Sequence, residues 1–331
     1  MRNRPRVLIL ESMYHPAGQE LLAGKADLDI LENATEDRII EAVAEADAVF
    51  VRYPSKLTAK AIEAGKNVVI ISTSGRGTDA IDIGAASAGE IAVVNNPGAG
   101  RVPVSEHTLG LMLEFAKQFR RSDAEIRAGG GFGQGPVSTR FHLEERTVGI
   151  VGCGQIGSEV ARKCSVGFRM KVLAYDPYIG DDDVKAVNGE RVSNLEDLLS
   201  ASDFVSVHAE LTEETRGMVD RDFLRAMRRD AYFLNTARGG IVEQGALIEA
   251  LQENWIAGAA LDVFEAEPIP VDSPLVALDN LIMSPHVGGL TIEAREELSI
   301  SAASQILQVL AGDKPPHLVN PDIWDKVAAR L

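Results

Sequence analysis

Short runs of apolar, largely β-branched residues alternate with helix-spaced stretches along most of this chain. That alternation restricts the fold to parallel sheets covered by helices on both faces, because parallel strands need long crossovers that helices usually supply. In the N-terminal part the apolar runs are 7–10, 48–51, 68–72 and 92–95, separated by helical spacing such as 36–44 and 58–64. A turn-rich stretch, 95–103, leads into a long helical pattern from Ser105 to about Ala128, which glycines at 129, 130, 131, 133 and 135 bring to an end. That glycine cluster reads as a flexible loop, with the gating of a cleft as an alternative. A second series of strands follows at 147–151, 171–175, 204–208, 231–235, 259–263 and 281–284, then a helical stretch at 292–310 and a Pro-rich tail. The expected fold is therefore α/β, with two doubly wound parallel-sheet domains and a cleft between them. The tail is too short to build a third unit, so it is expected to return to the first, giving domains of 1–103 with 290–331, and of 104–289.

The 33 basic and 49 acidic residues leave a formal charge of −16, and no basic stripe interrupts it. Such a field repels nucleic-acid phosphates and anionic membrane surfaces, so neither is an expected partner. Cys153 and Cys164 are the only cysteines; they support neither a disulfide framework nor a metal site and fit a reducing, cytoplasmic setting. The N-terminal MRNRPRVLIL holds a four-residue apolar run, too short for a signal peptide, and no stretch reaches membrane-spanning length.

The segment Gly152-Cys153-Gly154-Gln155-Ile156-Gly157 follows the run 147–151 and opens a helical stretch at 158–163. In that context the first glycine permits a tight turn and the second lets the backbone approach a pyrophosphate. The third lets helix and strand pack closely, while the helix N-terminus offers unpaired N–H groups to an anion. Asp176 stands 19 positions after Gly157, at the end of the next strand, where a carboxylate accepts hydrogen bonds from an adenosine ribose and repels a 2′-phosphate. The expected cofactor is NAD rather than NADP; the alternative is a tight strand-to-helix turn with a solvated Asp.

Ligands of open parallel sheets bind outside the carboxyl ends of the strands. The second series places there the glycine turn, Asp176, His208, the run Thr236-Ala237-Arg238-Gly239-Gly240, Asp262 and Pro285-His286. Singly each has a bland explanation: Arg238 reads equally well as a surface cation, and a lone histidine is more often structural. Together they match the needs of keto-acid reduction, an Arg fork for the carboxylate and carbonyl and a histidine to protonate the developing alkoxide.

The ordered set GCGQIG, YDPY, NTARGGIVEQGAL, AGAALDVFEAEP and SPHVGG, with NNPGAGRVPVSEHTLGLML before it, resembles the D-isomer-specific 2-hydroxyacid dehydrogenase family, and most of all its phosphoglycerate dehydrogenase-like branch. The resemblance implies a Rossmann-type cofactor domain, a flavodoxin-like substrate domain, and a catalytic trio of Arg238, Glu267 and His286. It implies cofactor contacts at Gly152, Gly154, Gln155, Ile156, Gly157, Asp176, His208, Ala209, Thr212, Thr236, Ala237, Arg238, Asp262, His286, Gly288 and Gly289. Asp262 is expected near the nicotinamide carboxamide. Ser74, Gly75, Arg76 and Gly77 correspond to a substrate loop whose N–H groups hold the carboxylate together with Arg238. Glu267 next to His286 would favour the imidazolium and keep a proton ready, although EAEPIPVDSP is acidic throughout and a plain loop carboxylate is the alternative.

The implied activity is NAD-dependent interconversion of a D-2-hydroxy acid and its 2-keto acid, with 3-phosphoglycerate and 3-phosphohydroxypyruvate as one candidate pair. The alternatives are a glyoxylate or hydroxypyruvate reductase and a catalytically weak NAD-sensing binding protein. A homodimer through the 105–128 helix and the loop after it is also implied. Departures from the family pattern are Glu145 in place of Gly, Glu210 in place of Pro and Gly100 in place of Asn. Arg76, with Arg52 or Lys56, would add positive charge for a second anionic group on the substrate; an outward-pointing arginine is the alternative.

Overall fold

The computed structural model describes residues 4–130 and 139–331, so Gly131, Gly133 and Gly135 of the glycine cluster lie outside the described residues. The chain divides into two compact units, Met1–Gly100 with Leu290–Leu331, and Arg101–Gly289. Among the described residues no helix is long and apolar enough to cross a membrane.

The first unit holds β1 (Arg6–Leu10), β2 (Asp27–Leu31), β3 (Ala48–Val51), β4 (Ile70–Thr73) and β5 (Ala92–Val94). They form a five-stranded sheet in the order β2-β1-β3-β4-β5, with every pairing parallel. The period-two geometry of a strand explains why β1 is apolar throughout. Val7 and Ile9 enter one core with Ala302, Ile306 and Val309 of the helix Ile292–Leu310, while Leu8 and Leu10 enter the core on the opposite face with Ile39, Val43 and Ile62. Strand β2, DLDIL, is absent from the apolar runs of the sequence because it pairs only with β1 at the sheet edge, where Asp27 and Asp29 are tolerated.

The second unit holds β6 (Thr147–Val151), β7 (Lys171–Tyr175), β8 (Glu190–Arg191), β9 (Phe204–Val207), β10 (Tyr232–Asn235), β11 (Gly258–Leu261) and β12 (Leu281–Met283). Their order is β12-β11-β10-β9-β6-β7-β8, again all parallel. Read from β8, the first six strands run 3-2-1-4-5-6, the dinucleotide-binding order, and the direction of winding reverses between β6 and β9. Val148 and Ile150 face one core with Val160 and Cys164, and Val205, Val207 and Phe233 face the other with Leu224 and Leu247. Both cysteines are buried and free.

The single helix expected over 105–128 is two helices, Arg101–Lys117 and Phe119–Arg127. Gln118 between them is left-handed at φ 54°, and the Glu114 carboxylate accepts the Arg120 N–H at 3.2 Å, satisfying a donor at the start of the second helix. The apolar stripe also ends there: the first helix buries Met112 and Ala116, the second buries nothing.

Candidate active site

The glycine turn divides its three tasks as its spacing demands. Gly152 is left-handed at φ +87°, and a side chain there would meet the backbone of Ala209, 2.7 Å away, at the end of the neighbouring β9. A methyl at Gly157 would fall 2.1 Å from the Gly152 carbonyl oxygen, so helix Gln155–Arg162 could not seat against β6. At Gly154 the same methyl would meet nothing within 4 Å, leaving an open approach at the helix N-terminus. Gln155 is exposed there and Ile156 packs on the core. Asp176 lies at the end of β7 and accepts the Cys153 N–H and the Tyr178 N–H, both at 2.9 Å, which fixes its carboxylate beside the turn. Tyr178 in turn donates its hydroxyl to Glu214 at 2.9 Å, tying this corner to the turn in which Thr212 bonds Thr215.

His208 follows β9, next to the glycine turn. Ser206 Oγ lies 2.9 Å from its Nε2, while Nδ1 is buried with no hydrogen-bond partner among the described residues. Burial pulls this imidazole down to about 4, so it is neutral at pH 7.

Beyond β10, Asn235 clamps the turn that carries Arg238. Its Oδ1 accepts the Ala237 N–H at 3.0 Å and its Nδ2 donates to the Arg238 carbonyl at 2.9 Å. Arg238 Nη1 donates to the Ala237 carbonyl at 2.7 Å. Thr236 Oγ1 lies 3.1 Å from Thr108 Oγ1. Beyond β11 and β12, Glu267 Oε2 and His286 Nδ1 are 2.8 Å apart, and Glu267 Oε1 accepts the Phe264 N–H at 2.9 Å. Burial pushes the Glu267 carboxyl up, but the hydrogen bonds from His286 and Phe264 and the charges of His286 and Arg238 outweigh it and hold the group below its ordinary value. Glu267 thus feels both His286 and Arg238, and His286 is half-exposed. Asp262 is buried, and its carboxylate accepts Ser284 Oγ–H and the N–H groups of Val287 and Gly288.

In the first unit the loop Ser74-Gly75-Arg76-Gly77 follows β4. The Thr73 and Gly75 carbonyls accept from the Asn96 side chain (2.7 Å) and main chain (2.8 Å). Those of Arg76 and Gly77 accept from Asn95 (2.9 Å) and Thr73 Oγ1 (3.0 Å). In a trans peptide the N–H points opposite the carbonyl, so anchoring one edge turns the donor edge the other way, as an anion cradle requires. Arg52 donates Nε to Ser12 O and Nη1 to Tyr53 O, and Lys56 is exposed. Asn235, Ser284, His107 and Thr108 took no part in the sequence-based expectation. Asn235 alone had a signal, a buried amide closing an apolar strand.

A parallel sheet wound in this order, with a glycine turn at its switch point and a carboxylate–imidazole pair at the strand ends, defines a dinucleotide-dependent oxidoreductase. Residues 109–288 match the family model described as D-isomer specific 2-hydroxyacid dehydrogenase, NAD binding domain. The chain is 36% identical over 328 residues to a glyoxylate reductase of Thermofilum pendens, covering 97% of this chain and 96% of that protein. It is 35% identical over 330 residues to a D-3-phosphoglycerate dehydrogenase of Methanocaldococcus jannaschii, covering 98% of this chain but 62% of that longer protein. A crystal structure of D-lactate dehydrogenase from Aquifex aeolicus, complexed with NAD and lactic acid, superimposes with a TM-score of 0.86 at 28% identity over 95% of this chain and 98% of that one. The chain belongs to the D-isomer-specific 2-hydroxyacid dehydrogenase family, and is an oxidoreductase with an NAD-binding Rossmann-type domain.

Proposed function

We propose that Arg238, Glu267 and His286 touch the substrate and carry its reduction from 2-keto acid to D-2-hydroxy acid, and the reverse oxidation. The observation that carries this reading is the 2.8 Å hydrogen bond between His286 Nδ1 and Glu267. Glu267 is held ionised and can only accept, so Nδ1 bears a proton and stays committed to the pair. The transferable proton of the imidazolium is then the one on Nε2, placed for the alkoxide that forms as the carbonyl is reduced. Arg238 supplies a planar fork for the substrate carboxylate and carbonyl oxygen. The pairing also favours turnover over a purely NAD-sensing role.

The glycine turn fits a bound dinucleotide: Gly154 leaves room at a helix N-terminus, and the Asp176 carboxylate, fixed beside the turn, keeps lone pairs that could accept from a ribose. We assign the cofactor to Gly152, Gly154, Gln155, Ile156, Gly157, Asp176, His208, Ala209, Thr212, Thr236, Ala237, Arg238, Asp262, His286, Gly288 and Gly289. When bound, NAD supplies or accepts the hydride. The first unit is assigned to substrate binding, with the donor edge of Ser74–Gly77 holding the carboxylate.

A phosphorylated or dicarboxylic keto acid, such as 3-phosphohydroxypyruvate, is the first substrate reading because of Arg76 and Lys56. The alternative, glyoxylate or hydroxypyruvate, gains from the commitment of Arg52 to main-chain carbonyls. A homodimer is proposed because the helix Phe119–Arg127 leaves Phe119 and Ile126 exposed, and a cytoplasmic location because both thiols are free. Steady-state reduction of glyoxylate, hydroxypyruvate, 3-phosphohydroxypyruvate and oxaloacetate with NADH and NADPH tests the reading. NADH-dependent turnover is expected, and loss of His286 in His286→Ala should cost about 10²–10⁴ in kcat with little change in NADH affinity. Wild-type turnover in that variant would end the assignment.

A further inference from the structure

His286 stands at φ 54°, a left-handed conformation that costs a non-glycine residue about 1 kcal/mol or more and persists only where neighbours impose it. The residue that imposes it is Asp262. Its main-chain oxygen accepts the His286 N–H at 2.8 Å. Its Oδ1 accepts Ser284 Oγ–H at 2.6 Å and the Val287 N–H at 3.0 Å, and Oδ2 accepts the Gly288 N–H at 2.8 Å. A carboxylate has no proton to give, so Ser284 spends its only hydroxyl proton on Asp262.

His107 Nε2, on the helix Arg101–Lys117, lies 2.8 Å from Ser284 Oγ and 3.5 Å from Asp262 Oδ1, so it bears on Asp262 mainly through the serine and in part directly. With the serine proton already committed, Ser284 accepts here and His107 Nε2 carries the hydrogen. The donors therefore run in one direction, from His107 to Ser284 to Asp262. The ring also lies close beside the loop, where a methyl added at Gly288 would come within 3.2 Å of His107 Cδ2. The next residue repeats the device on the other loop. Thr108 Oγ1 gives its proton to Val104 O at 2.9 Å, so Thr236, in the turn that carries Arg238, donates to Thr108.

We propose that His107 is a positioning residue for His286, acting through Ser284 and Asp262, so that one helix turn sets the geometry of the proton donor without touching substrate. This rests on the reading of His286 as that donor. It also gives Asp262 a task, holding the loop, that is distinct from any cofactor contact.

The test compares His107→Phe, His107→Gln, Ser284→Ala and His286→Asn in the full chain. It measures the pH profile of keto-acid reduction, NADH affinity by fluorescence titration, and the His286 ring resonances by NMR. His107→Phe keeps a planar ring but loses the donor. Its kcat should fall by about tenfold or more, with the His286 ring resonances and the profile both displaced, and NADH affinity within about twofold of wild type. His107→Gln, whose amide can donate to Ser284, should recover most of the loss, and Ser284→Ala should reproduce it should His107→Phe fail to fold. Wild-type kcat and resonances in folded His107→Phe, alongside an inactive His286→Asn, would overturn this inference and leave the donor reading standing. Parallel loss of kcat and NADH affinity would mark His107 as merely structural and overturn it too. A fully active His286→Asn would remove the donor reading itself, and this inference with it.

Discussion

Two titratable side chains near the strand ends are driven in functionally opposite ways by their surroundings. Glu267 is kept charged: burial opposes ionisation, yet the bonds from His286 and Phe264 and the nearby Arg238 charge prevail. His208 is kept neutral, at about 4, because burial finds no compensating charge. The sign of the stability effect follows. Between about pH 6.5 and 4 the unfolded chain takes up a proton on His208 that the folded chain refuses, so its contribution is intact above pH 6.5 and lost as pH falls. Urea unfolding at pH 7.5 and pH 5 should show His208→Asn losing about 2 kcal/mol less than wild type over that interval. Equal losses would mean the imidazole is not buried neutral. Arg238, Glu267 and His286 were legible because each is a chemically distinctive residue in a run that resembles a known family. His107 and Ser284 were not, since a histidine at helical spacing and a serine after a short strand look like any other, and only the fold brings them within 2.8 Å.

At the scale of elements, periodicity located the strands that offer an apolar run and missed two edge strands that offer none. Strand β8 has two residues and β2 carries two aspartates, so neither offers an apolar run. The helix break at Gln118 was equally hidden, because helical spacing continues through 105–128 and the left-handed residue there is not a glycine. Glu145 repeats the theme just ahead of β6. It is left-handed at φ 65°, with its N–H on the Arg169 carbonyl at 3.2 Å. That explains why the resemblance leads one to expect Gly there, since only Gly adopts this conformation without a Cβ penalty. Glu145→Gly should therefore relieve about 1–2 kcal/mol of strain against about 0.5–1 kcal/mol of entropy that a glycine loses on folding, a net gain of about 0.5–1 kcal/mol that raises Tm by about 1–4 °C. A lower Tm would show that the Glu145 side chain makes contacts worth more than the strain.

On the scale of the molecule, each unit owns a complete parallel sheet with an apolar core on both faces, which is the requirement for folding as a separate cooperative body. The discontinuous first unit is formed when the helix Ile292–Leu310 packs beside β1, a step no local pattern can announce because it joins residues nearly three hundred positions apart. The cofactor residues assigned above belong to the Arg101–Gly289 unit alone. A ligand stabilises only what it binds, by about 2.7 kcal/mol at a concentration one hundred times its Kd. Calorimetry should accordingly resolve two transitions, of which NADH raises one, while limited proteolysis identifies the protected fragment as that unit. A single transition that NADH moves as a whole would show that the two cores melt together, and that binding energy at the glycine turn is shared by residues that never touch the cofactor.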